Sequence, residues 1–90
     1  MQVHYTIRIF GKVQKVGFRY HAYVNAIRNN INGLVRNEPD GTVYIEAEGD
    51  LEDLEKYLKW CQSGPQWSTI ERVDVRKAPL NNHTEFVIQH

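Results

Sequence analysis

The stretch Leu34-Val35-Arg36-Asn37-Glu38-Pro39-Asp40-Gly41-Thr42-Val43-Tyr44-Ile45-Glu46-Ala47-Glu48 holds two strand patterns around a turn. Val43, Ile45 and Ala47 alternate with Tyr44, Glu46 and Glu48, the period of a strand with one buried face. Leu34 to Asn37 reads as its partner. Between them, Pro39 presets its φ angle and Asp40-Gly41 accepts a positive one, which predicts a tight turn. The middle of the chain is therefore a β-hairpin.

Outward from the hairpin the pattern changes period on both sides. Gly49-Asp50 opens a helix whose apolar stripe is Leu51, Leu54, Tyr57, Leu58 and Cys61. Asp50 reads as its N-cap, and Glu52, Asp53 and Glu55 put negative charge where the helix dipole favours it. Ser63-Gly64-Pro65 stops it. On the other side, Phe18 to about Ile31 reads as a helix. Tyr20, Tyr23, Val24, Ile27 and Ile31 recur three and four apart and are its expected buried face. Asn29, Asn30 and Asn32, followed by Gly33, predict its exit. Further out, Val3, Tyr5, Ile7 and Ile9 alternate with polar neighbours in a strand that Gly11 closes. Thr69 to Lys77 and Glu85 to Gln89 supply two more strands, separated by a loop over Ala78 to Thr84. The order β-α-β-β-α-β, with one final strand, predicts an α+β, ferredoxin-like sandwich. Two helices lie on one face of a four- to five-stranded, mostly antiparallel sheet. One domain over residues 1–90 is expected, because the chain is too short for two cores.

Composition narrows the function classes. Eleven Lys and Arg balance 11 Asp and Glu, so no broad basic face is available for nucleic acid. A single-stranded RNA module of similar fold would stack bases on aromatics of its central strands. Here Phe18 and Tyr20 begin a helix instead. No apolar run approaches the roughly 20 residues that cross a bilayer, and no charged segment followed by an apolar run marks a signal peptide. A soluble, cytoplasmic monomer is expected. Cys61, the one cysteine, falls on the apolar stripe of the second helix and reads as a buried thiol. His4, His21, His83 and His90 show no metal-ligand spacing, so neither a metal nor another cofactor is expected. Trp60 lies off the stripe and Trp67 in a loop, with no role assigned by pattern.

Chemistry concentrates in Gly11-Lys12-Val13-Gln14-Lys15-Val16-Gly17-Phe18-Arg19, which joins a strand end to a helix start. Unpaired N–H groups at a helix N-terminus attract anions, and a curled loop forms a nest for phosphate. Arg19, in the first helical turn, offers a bidentate guanidinium to the same anion. Asn37, at a strand end beside the turn, carries both a donor and an acceptor and so can orient a water.

These residues resemble the acylphosphatase signature, Gly-x-Val-Gln-Gly-Val-x-Phe-Arg. Gly11, Val13, Gln14, Val16, Phe18 and Arg19 match it. A second signature of that family follows in Gly33-Leu34-Val35-Arg36-Asn37, Gly41-Thr42-Val43 and Gly49. The resemblance implies hydrolysis of a small-molecule acyl phosphate to a carboxylate and inorganic phosphate. It assigns the phosphate cradle to Gln14, Lys15, Val16, Gly17, Phe18 and Arg19, and the positioning of the attacking water to Asn37. Lys15 stands where the family has glycine. If that position needs a left-handed backbone, lysine costs about 1–2 kcal/mol there. The alternative expectation is therefore a phosphate-binding module of weak or absent activity.

Overall fold

The computed structural model describes all 90 residues. Its elements are β1 (Gln2–Lys12), α1 (Phe18–Arg28), β2 (Asn32–Asn37), β3 (Val43–Asp50), α2 (Leu51–Ser63), β4 (Thr69–Ala78) and β5 (Phe86–Gln89). The five strands form one sheet in the order β4-β1-β3-β2-β5. All neighbours are antiparallel except β2 and β5, which are parallel. No helix is long and apolar enough to cross a membrane.

Alternation in the strands builds the core. Val3, Ile7 and Ile9 of β1 turn to the same side as Val43, Ile45 and Ala47 of β3, where Ile7 pairs with Ile45 and Ile9 with Val43. Both helices cover that side, α1 with Phe18, Ala22 and Ala26, and α2 with Leu54, Tyr57 and Cys61. Burying each large apolar side chain contributes about 1.5–3 kcal/mol. The Tyr57 hydroxyl donates to the carbonyl of Ala22 at 3.0 Å, so the two helices are tied as well as packed. Trp60 fills the space beside this contact, with ring centroids 5.3 Å from Phe18 and 5.9 Å from Tyr57. Burial raises the Cys61 thiol well above its ordinary pKa, which keeps it protonated and unreactive.

Three details differ from the sequence reading. First, the buried face of α1 is Phe18, Ala22 and Ala26, whereas Tyr20, Tyr23 and Ile27 are exposed and Val24 is only partly covered. Small alanines let the helix sit close to the sheet, and hydropathy patterning favours the larger side chains over them. The helix also stops at Arg28. Asn30 takes a left-handed φ of 57°, and the N–H groups of Asn30 and Ile31 return to the carbonyls of Ile27 and Ala26. That is a Schellman exit with asparagine in place of glycine, and Ile31 is buried beyond it. Second, Gly11 does not close β1. A register shift between Phe10 and Gly11 carries the strand on to Lys12. A Cβ at Gly11 would lie 2.0 Å from the carbonyl oxygen of Thr69, so only glycine permits this bulge. Third, Asp50 occupies the N-cap position of α2 but makes no capping bond. Its carboxylate accepts from the Met1 amino group and from Gln2 Nε2.

Candidate active site

The bulge at Gly11 delivers the chain into a four-residue turn, Gln14 to Gly17, that leads directly into α1. Lys15 has φ 63° and Gly17 has φ 77°. A Cβ at Gly17 would have room, so it is the left-handed backbone that calls for glycine there. Lys15 adopts the same region despite its side chain. Alternating handedness curls the loop, and a curled loop turns successive N–H groups inward. The first helical bond runs from His21 N–H to the carbonyl of Gly17. The N–H groups of Lys15, Val16, Gly17, Phe18 and Arg19 have no acceptor within the chain. They are a ladder of donors at a positive helix end, the arrangement that binds an anion.

Gln14 holds the loop from beneath. Its Nε2 donates to the carbonyls of Glu38, at 2.8 Å, and Thr42, at 2.9 Å. Those two carbonyls flank the β2–β3 turn, which has its own fastening. Asp40 accepts from the Thr42 hydroxyl at 2.6 Å and from the Thr42 N–H at 3.0 Å. These two bonds, the hydroxyl's first, hold the Asp40 carboxyl below its ordinary pKa. Arg8 reaches the same threonine hydroxyl at 2.9 Å. The hairpin turn is thus the template on which the loop is fixed.

A cavity of about 200 Å³ opens over the loop. Lys15, Gly17, Phe18, Arg19, Asn37 and Ile88 are among its lining residues. Of the residues named from sequence, Gln14 and Val16 do not line it. Gln14 faces the hairpin turn, and Val16 packs against the core. Asn37, the last residue of β2, pairs through its backbone with Val43, and its side-chain amide bonds to no protein group. Arg19 is half-buried. Its guanidinium donates to the carbonyl of Gln89 at 3.0 Å and lies 3.5 Å from Nδ1 of His90. Sequence reasoning had no signal for this contact, because it depends on β5 pairing in parallel beside β2.

A second polar cluster sits on the sheet face away from the helices. His4 Nδ1 lies 2.7 Å from Glu48, and His83 Nε2 lies 2.9 Å from Glu46. Glu48 also accepts the N–H groups of Asn81 and His83, the latter at 2.8 Å. Ligand atoms of His4, Glu48 and His83 come within 4.8 Å of one another, a proximity that spacing along the chain does not reveal. Both Glu48 oxygens and His4 Nδ1 are engaged in these bonds, which pin the β4–β5 connection to the sheet.

Fold and loop together define a small α+β structure with a curled loop of unpaired N–H donors at a strand–helix junction. The sequence profile of the acylphosphatase family matches residues 5–88. An acylphosphatase of Bacillus licheniformis is 43% identical over 89 residues, 98% of this chain and 99% of that protein. One from Archaeoglobus fulgidus is 42% identical over 84 residues, 93% and 94% of the two chains. The crystal structure of acylphosphatase from Bacillus subtilis superposes with a TM-score of 0.95 at 33% identity, covering 100% of both chains. The chain belongs to the acylphosphatase family.

Proposed function

We propose that this enzyme hydrolyses acyl phosphates by in-line attack of water on phosphorus. The loop amides and Arg19 bind the phosphoryl group, and Asn37 orients the water. The observation that carries this reading is the run of N–H groups from Lys15 to Arg19 with no acceptor in the chain, in a loop whose Lys15, Gly17, Phe18 and Arg19 line one cavity with Asn37.

The chemistry suits such a site. A carboxylate is a good leaving group, so no strong acid is needed to expel it. The water oxygen forms a bond to phosphorus as the bond from phosphorus to the acyl oxygen breaks. The acyl group departs as carboxylate, and a proton of the water passes to a phosphoryl oxygen. Negative charge spreads over the phosphoryl oxygens in a loose transition state. Donors that are already oriented stabilise that charge without reorganising. Positioning by Asn37 supplies the rest.

The test is turnover of benzoyl phosphate, followed by ultraviolet absorbance with EDTA present. Arg19→Ala is expected to lower kcat by about 10²–10³-fold, the effect of losing a charge-stabilising donor. Asn37→Ala is expected to lower it by about 10²-fold, through a misplaced water. Both variants should keep the parent's circular dichroism. A folded parent that binds phosphate without turnover would favour the alternative module, with Lys15 as its cause.

A further inference from the structure

The loop departs from the family pattern at Lys15, and the cavity around it has an unusual charge balance. No aspartate or glutamate side chain lines it, whereas Lys15 and Arg19 both do. Arg19 is occupied in part by the carbonyl of Gln89. The ammonium of Lys15 takes part in none of the chain's six ion pairs and none of its side-chain hydrogen bonds. Lys15 is also exposed, while Phe18 of the same lining is buried. In a curled loop whose N–H groups converge on one anion, the side chains diverge from it. The lysine is therefore an exposed part of the cavity's lining. There it meets whatever part of the substrate projects beyond the phosphoryl group.

Resting on the hydrolase reading above, we infer that Lys15 is a specificity-determining residue that selects acyl phosphates carrying a second negative charge on the acyl portion. The phosphoryl group has its own donors in five amides and Arg19. The acyl portion meets Tyr20 and Ile88, which suit its carbon skeleton, and one unpaired cation, which suits a carboxylate or a second phosphate. A neutral acyl group leaves that ammonium hydrated and gains nothing from it. The attraction is between exposed charges, so it is modest and falls with ionic strength.

The experiment compares kcat/KM for para-carboxybenzoyl phosphate and benzoyl phosphate in the parent, Lys15→Gln and Lys15→Arg. Taking the ratio of the two substrates within each protein removes any general effect of the substitution on the loop. The ratio is expected to fall about five- to tenfold in Lys15→Gln. It should stay near the parent's in Lys15→Arg, and in the parent it should shrink toward the Lys15→Gln value at about 1 M salt. Turnover of both substrates with the same ratio in all three proteins would overturn the role of Lys15 and leave the hydrolase reading intact. A folded parent that turns over neither substrate would overturn the hydrolase reading and this inference with it.

Discussion

Gln14 does its work through other residues. It does not line the cavity, yet its two bonds to Glu38 and Thr42 fix the loop whose Lys15 and Gly17 do. Gln14→Ala is expected to cost about 1–2 kcal/mol of stability, since two carbonyls lose a partner. It should also weaken inhibition by inorganic phosphate several-fold, because the donor ladder must then be ordered at the moment of binding. Urea denaturation and phosphate inhibition measured on the same variant check both effects. An unchanged inhibition constant would mean the loop is held by other means. The curled loop was legible in sequence because it is local and made by consecutive residues. The separate task of Gln14 was not, since its partners lie 24 and 28 residues away and are backbone carbonyls. Cys61 could be read as buried directly, because it sits on a strong stripe.

The two helices were legible to different degrees, for a physical reason. On α2 the large apolar residues are also the buried ones, so period and packing agree. On α1 close approach to the sheet needs small side chains, and Ala22 and Ala26 go under while Ile27 stays out, 54% exposed. A pattern weighted by hydropathy therefore selects the wrong face. Thermal or urea denaturation tests this. Ala22→Leu is expected to cost about 1–3 kcal/mol by overpacking, whereas Ile27→Ala should lie within about 0.5 kcal/mol of the parent. The opposite order would restore the face read from sequence. The hairpin, by contrast, was readable almost to the residue, because Pro39 and Asp40-Gly41 announce the turn chemically. The bulge at Gly11 was not, since its cause is the carbonyl of Thr69 on a distant strand.

Contacts that exist only in the folded chain govern its response to pH and its chemistry. Burial alone would raise the pKa of Glu48. The Asn81 amide, His4 and the His83 amide outweigh burial and hold the carboxyl below its ordinary range. A carboxyl depressed in the folded state contributes stability above its unfolded pKa and loses it as pH falls through the folded value. Stability is therefore expected to decline as pH falls from about 5 through and below the ordinary glutamate range, about 4. Glu48→Gln should lower stability at neutral pH by about 2–3 kcal/mol and flatten that decline. Urea denaturation of both proteins across this range checks it, and parallel pH profiles would contradict it. This cluster was illegible in the sequence because β1, β3 and the β4–β5 connection meet only in the fold. The candidate site is likewise assembled at this scale, from the loop before α1, the end of β2 and the end of β5. The proposed hydrolysis requires that water attack phosphorus there. Turnover of benzoyl phosphate in heavy-oxygen-labelled water decides this directly, with products read by phosphorus NMR and mass spectrometry. One labelled oxygen in the inorganic phosphate and none in the benzoate is the predicted result. Label in the benzoate would mean attack at the acyl carbon and would contradict the account.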